Sequence, residues 1–335
     1  MTTIRDVARE AGVSIATVSR TFSGTQYVRP AVRERVMTSA EQLKYRPNAL
    51  ARSLRVENTS TLGLVIPNVG NPFFTAMARA VEDAAREMGY SLMIGNADED
   101  PGKESEYLNV LMEKRVDGLI VSPARAISPP LNEIARSGVP LVFLDRYVKG
   151  IEAPVVRADG RKAVDSLVEH LVDLGHERLA IISGPPETVP GRERLDAFLR
   201  GAEDRGVPVA EERVKIGDFR RESGLRAMRE LLELNESPTA VFAANNLMGL
   251  GALQTLSRAG VKIPGEISFA SFDDVSWFEL TTPSVTAIAQ PTAELGAAAA
   301  RMLPVLMEGR ERPESVILEA ELVVRGSCGR VGGAA

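Results

Sequence analysis

One cysteine, Cys328, stands among 335 residues, so no disulfide can close within the chain and no multi-cysteine metal site is available. Histidine is almost as scarce. His170 and His176 are the only two, which leaves little material for a histidine-based catalytic or metal centre. No apolar run approaches the roughly 18 to 20 residues that a membrane span needs. The opening MTTIRDVARE has no apolar stretch of the kind that marks a secretory signal. Also missing are Gly-x-Ser-x-Gly, a Walker loop, His-Glu-x-x-His and a Rossmann glycine fingerprint after the first strand-like segment. These absences point to the cytoplasm and to a protein without catalytic residues, cofactor or metal. An enzyme stays open as a rival reading, since two histidines can serve one site. His176, in Leu174-Gly175-His176 before a strand, reads as a turn residue instead.

What is present begins with ordinary globular composition: 44% hydrophobic and 25% charged residues, enough for a core at this length. The length suits one small and one large domain, or two to three domains. The net charge of −5 conceals an asymmetry. Residues 1–56 hold ten Lys/Arg against four Asp/Glu, while the remainder holds thirty against forty-one. A basic head on an acidic body fits a polyanion-binding module joined to something else, although a fluctuation in surface charge gives the same counts.

The head reads as short capped helices. Thr3-Ile4-Arg5-Asp6 has the capping-box pattern. Ile4, Val7, Ala8 and Ala11 then share one helical face. Gly12 stands where a left-handed residue ends a helix. Ser14 caps a second helix at once, with Val13 and Val18 placed as a hydrophobic staple. Two helices joined by Gly12-Val13-Ser14 form a helix-turn-helix, whose second helix enters the major groove in DNA-binding examples. On that helix Val18 and Phe22 face inward, while Ile15, Ala16, Ser19 and Arg20 face outward. An outward isoleucine and alanine suit contact with a thymine methyl, and an arginine suits a guanine edge. A third helix follows Pro30, with Val32, Val36, Ala40 and Leu43 on its inner stripe. Any small helical bundle shares these features.

TIRDVAREAGVSIATVSRTFSG, followed by RERVMTSAEQLKYRPNALARSLR, resembles the headpiece of the lactose-repressor (LacI/GalR) family without a gap over about the first 56 residues. The resemblance implies a DNA-reading set of Thr3, Ser14, Ile15, Ala16, Thr17, Ser19 and Arg20. It also implies a hinge helix over residues 48–55 in which Asn48, Ala51, Leu54 and Arg55 meet the operator, Leu54 wedging into the minor groove. An apolar wedge between base steps kinks a duplex, at a cost that the added contacts offset. Without the resemblance, Leu54 reads as a linker leucine.

Beyond a polar linker at residues 56–60 the pattern changes. Strand-like runs recur at 61–68, 90–98, 117–123, 140–146, 178–184, 214–219, 239–245 and 267–274, separated by helical segments such as 72–89 and 103–115. Alternation of this kind implies parallel sheets covered on both faces. Two series predict two doubly wound lobes, with ligands bound at the carboxyl ends of strands. Phe73 and Phe74, Asp145, Arg194 (opening a helix after ISGPPETVPG), Phe219, Asn245 and Asp273 all fall at or just beyond such ends. Carboxylates, an amide, an arginine and aromatic faces suit a polyhydroxylated ligand. Each also has a plainer reading, as turn cap, surface acid or core aromatic.

The body resembles the sensor of the same family to about residue 325, and that sensor shares its fold with periplasmic sugar-binding proteins. The resemblance implies an α/β fold class: an all-α headpiece (1–47), hinge and linker (48–60) and a two-lobed sensor (61–330). The N-lobe would span about 61–160 and 291–320, and the C-lobe about 161–290 and 321–330. Crossings between lobes are expected near 158–163, 288–292 and 318–323. By resemblance Phe73, Phe74, Asp145, Arg194, Phe219, Asn245 and Asp273 contact the effector. The family usually has Asn-Asp where this chain has Asn245-Asn246, so the second position is not carried over. The expected partners are double-stranded operator DNA, a small-molecule effector, and a second copy of the chain. The glycine-rich end from Arg325 carries no heptads, which favours a dimer over a tetramer. A sugar is the expected effector, with a purine as the alternative. A transport-type binding protein is a further rival, opposed by the basic head.

Overall fold

The computed structural model describes residues 2–23, 27–45, 59–309 and 312–332. Asn48, Ala51, Leu54 and Arg55 lie outside the described residues. The chain divides into two compact units, Met1–Thr59 and Ser60–Ala335.

The first unit holds three helices among its described residues: α1 (Ile4–Glu10), α2 (Ile15–Ser23) and α3 (Pro30–Gln42). The Asp6 carboxylate accepts from the Thr3 backbone N–H at 2.9 Å and from its hydroxyl at 2.7 Å, the reciprocal half of a capping box. These bonds, the hydroxyl's first, hold the Asp6 carboxyl below its ordinary value. Gly12 takes φ +61°, with open space around it. The Ser14 hydroxyl oxygen accepts from the Thr17 N–H at 3.1 Å and so starts α2. Val7, Ala8, Ala11, Val18, Val36 and Ala40 form the core, with Ile4, Val13, Phe22, Leu43 and Tyr45 packed around it. Val32, expected on the inner stripe of α3, is only half-buried and stands outside that cluster.

The second unit is built on two six-stranded sheets among the described residues. The first contains β1 (Thr61–Ile66), β2 (Ser91–Asn96), β3 (Gly118–Val121), β4 (Leu141–Leu144), β5 (Val155–Asp159) and β11 (Val316–Glu319). Its order is β11-β5-β4-β3-β1-β2, parallel throughout. The second contains β6 (Leu179–Ser183), β7 (Val214–Ile216), β8 (Ala240–Ala243), β9 (Ser268–Phe272), β10 (Thr286–Ala289) and β12 (Glu321–Val323). Its order is β12-β10-β9-β8-β6-β7, with β12 alone antiparallel.

Side chains alternate across a strand, and here both faces are covered. Leu62, Leu64 and Ile66 of β1 join the cluster with helices α4 (Pro72–Glu87) and α12 (Thr292–Glu308), while Val65 joins the cluster on the opposite face. Burial on both sides explains why these strands read as continuous apolar runs. The remaining helices are α5 (Pro101–Glu113), α6 (Pro129–Ser137), α7 (Arg161–Asp173), α8 (Val189–Asp204), α9 (Arg221–Leu232), α10 (Asn246–Ala259) and α11 (Ser276–Leu280).

Two differences from the sequence reading have physical causes. Helix α8 begins at Val189, so Arg194 lies in its second turn and does not open it. Thr188 caps the helix by accepting from the Gly191 N–H at 3.1 Å, and Pro190 suits the first turn. The strands β5, β10, β11 and β12 were not expected as strands. They are three to five residues long, and β11 and β12 are half-exposed edges. The chain passes between sheets at 159–161, 289–292 and 319–321, which brings β11 beside β5 and β12 beside β10.

Candidate functional site

Strand ends of both sheets meet in one cleft. From the first sheet come Asn71, Phe73, Phe74, Glu99, Asp145 and Arg146; from the second come Pro190, Arg194, Phe219, Asn245 and Asp273. All seven residues expected at an effector site therefore line one cleft. Asn71, Glu99, Arg146 and Pro190 line it too and were not expected.

The backbone at the cleft is unusual. Asp145, Phe219 and Asp273 have φ of +65°, +63° and +66°, a left-handed region that costs non-glycine residues about 1–3 kcal/mol and recurs at functional sites. Asp145 and Asp273 directly follow β4 and β9, and Phe219 lies three residues beyond β7. Gly184, at the end of β6, lets the Phe219 ring lie close: a Cβ there would stand 2.0 Å from a ring carbon.

Charge in the cleft is organised in pairs. Arg146 donates through Nη1 and Nη2 to the two Glu99 carboxylate oxygens at 2.7 and 2.8 Å. Its guanidinium lies 5.8 Å from the Phe74 ring centre and 5.2 Å from that of Phe219, within cation–π range. Its Nε is buried without a hydrogen-bond partner, 3.7 Å from the Asp145 carboxylate. Arg194 lies 3.6 Å over the Phe272 ring and donates to the Ala244 carbonyl at 2.6 Å. The Asp273 carboxylate accepts from the Gln290 amide at 2.6 Å. Burial pushes Asp145 up to about 6, with Arg146 and Arg194 pulling the other way. Burial likewise raises Asp273 and lowers Arg194.

Asn245 has structural duties here. Its Nδ2 donates to the Phe219 carbonyl at 3.0 Å, and its Oδ1 accepts from the Met248 N–H at 2.9 Å as the cap of α10. Asn246, the position left out of the expected set, is fully buried and donates to the Asn71 Oδ1 at 2.8 Å across the two lobes. The same Asn71 oxygen accepts from the Phe73 N–H at 3.0 Å. Other bonds that cross between lobes include Arg157 to Glu193 at 2.7 Å and Arg220 to the Asp98 carbonyl at 2.6 Å.

In the first unit Ile15, Ala16 and Arg20 are exposed on α2, and Ser19 is half-buried. Thr3, Ser14 and Thr17 are engaged in helix capping. Ser14, Thr17 and Arg20 line a shallow groove together with Tyr27, Arg29 and Arg35, three residues the sequence reading omitted. Tyr27 is 86% exposed. An exposed tyrosine beside Arg29 was the signal available for it. Among the described residues no group of His, Cys, Asp and Glu is arranged to hold a metal ion, and no helix is long and apolar enough to cross a membrane.

Residues 3–48 match the family described as bacterial regulatory proteins, lacI family, and residues 168–328 match a periplasmic binding protein-like domain. Catabolite control protein A of Priestia megaterium is 34% identical over 316 residues, spanning 94% of this chain and 95% of its own length. The ribose operon repressor of Halalkalibacterium halodurans is 35% identical over 303 residues, spanning 90% and 89%. The solved lac repressor dimer bound to operator and the anti-inducer ONPF superposes with a TM-score of 0.85 at 26% identity, covering 97% of this chain and 98% of that one.

Proposed function

The chain belongs to the lacI family of bacterial regulatory proteins, whose members are transcriptional regulators and not enzymes, and on that premise we propose that it is a repressor controlled by a sugar. A homodimer would present two headpieces to a pseudo-palindromic operator in the cytoplasm, since a two-fold protein matches a two-fold site.

The observation that carries the ligand assignment is the convergence of Phe73, Phe74, Asp145, Arg194, Phe219, Asn245 and Asp273 on one cleft. Carboxylates and an amide pair with hydroxyls, and aromatic rings cover the apolar face of a sugar. The relative named a ribose operon repressor makes D-ribose the first compound to try.

The exposed Ile15, Ala16 and Arg20 support base reading by α2, with Thr3, Ser14, Thr17 and Ser19 alongside and Asn48, Ala51, Leu54 and Arg55 reading the centre of the operator. Ligand bound between the lobes favours their closure about the three crossings, as in hinge closure generally. Closure then alters how paired hinge segments order on DNA. Operator and sugar are linked through one coupling energy, typically about 1–3 kcal/mol.

The test has two steps. Thermal melting against monosaccharides, disaccharides, sugar phosphates and purines should single out one sugar. At about 100 times its dissociation constant it adds about 2.7 kcal/mol, a rise of several degrees. Anisotropy of labelled operator DNA with that sugar should then change affinity by about 5- to 150-fold. Stabilisation by a purine alone would reject the sugar, and operator affinity indifferent to the bound sugar would reject control by it.

A further inference from the structure

We propose that Glu99 is the specificity-determining residue that restricts this cleft to uncharged sugars and excludes phosphorylated or acidic ones. The inference rests on the sugar reading above and deepens it.

Five charged side chains line the cleft: Glu99, Asp145 and Asp273 against Arg146 and Arg194. With all five ionised the balance is one negative charge. A phosphate ester brings about 1.5 to 2 further negative charges and must find donors to replace its water. Arginine recognises phosphate with its planar two-nitrogen fork. In Arg146 the Nη1–Nη2 fork is taken, because each Nη gives one N–H to Glu99. Nε is buried without a hydrogen-bond partner, and the Asp145 carboxylate lies 3.7 Å from it, so an anion on the remaining Nε–Nη fork meets a second carboxylate. Arg194 lies face-on over Phe272, with Nη1 donating to a backbone carbonyl.

Helix N-termini are the other common phosphate sites, and three reach this cleft. Each gives one first-turn N–H to its own cap. The Phe73 N–H donates to Asn71, the Gly191 N–H to Thr188, and the Met248 N–H to Asn245. Pro72 and Pro190, in the first turns of α4 and α8, have no N–H to offer. The neighbouring cations Arg157 and Arg161 are held by Glu193 and Asp159. Glu99 therefore does two things. It makes the local charge balance negative, and it holds the Nη1–Nη2 face of Arg146 against an anion.

Glu99 takes part in holding the ligand-facing arginine, so its substitution is read through a ratio of affinities and not through binding of one sugar. Wild type, Glu99→Gln and Glu99→Asp are titrated with D-ribose and D-ribose 5-phosphate by calorimetry at pH 7.5. The same three proteins are melted in inorganic phosphate against chloride at equal ionic strength. Glu99→Gln should shift the preference toward the phosphorylated sugar by about tenfold or more, since like-charge exclusion is lost. Phosphate should raise its melting temperature but not that of wild type. Glu99→Asp, which keeps the charge, should discriminate as wild type does; this separates charge from packing. Wild type binding the phosphate ester as tightly as the parent sugar overturns the proposal. So does an unchanged ratio in Glu99→Gln. If no sugar binds wild type, the sugar reading fails, and the phosphate melts still decide on Glu99: a response confined to Glu99→Gln supports its role, and equal responses overturn it.

Discussion

Replacing Asp145 by Asn should make the protein more stable and a worse sugar binder, with the gain in stability dependent on pH. Asp145 is buried, and burial raises its carboxyl from 3.8 to about 6 despite Arg146 and Arg194 nearby. The folded state therefore holds the proton more tightly than the unfolded chain. That preference has no effect below about pH 4, where both states are protonated. It becomes a penalty as pH rises from about 4 to 6 and is complete above 6. At 1.36 kcal/mol per tenfold change in proton affinity, the penalty in full is about 3 kcal/mol. Asn has the shape of the protonated acid and carries no such penalty. Urea unfolding can be followed through Trp277, the sole tryptophan, which packs 4.2 Å from Phe278. Asp145→Asn should unfold at higher urea than wild type at pH 8, by up to about 3 kcal/mol. The gain should shrink to about half at pH 5. Sugar affinity should fall by about 10- to 100-fold, because a hydrogen bond to a charged group contributes about 1.5–3 kcal/mol. Equal unfolding midpoints of the two proteins at both pH values would refute the account of Asp145 as an acid held in place at the expense of stability.

Leu54→Ala should weaken operator binding in anisotropy titrations while leaving sugar affinity by calorimetry unchanged; equal operator affinity would reject the wedge. Arg20→Ala should lose about 1–3 kcal/mol of operator affinity and relax preference at one base pair of each half-site, which a panel of singly substituted duplexes can read. Asn246→Asp would set a carboxylate against the Asn71 oxygen that now accepts from Asn246 and caps α4. Unpairing these buried groups should cost about 1–3 kcal/mol, read as a lower melting temperature and weaker sugar binding; a protein unaffected in both would dismiss this interlobe contact.

Much of the molecule was legible in the order of its residues, for a local reason. A capping pair at Thr3 and Asp6, a left-handed Gly12 and a cap at Ser14 act within three or four residues, so the helix-turn-helix is written where it forms. Runs such as Leu141–Leu144 are apolar because both faces are covered, so composition announces the central strands. The left-handed Asp145 and Asp273 directly follow such strands, which made them findable. Tertiary structure alone decided the rest. Glu99 and Arg146 stand 47 residues apart and Asn71 and Asn246 stand 175 apart; no local pattern pairs them. The edge strands β11 and β12 acquire their partners β5 and β10 only because the chain crosses between sheets. The sequence determined that strand ends would carry polar and aromatic side chains. Which arginine is free to meet a ligand, and which is already committed to a carboxylate, depends on distances that exist only once the two sheets are folded side by side.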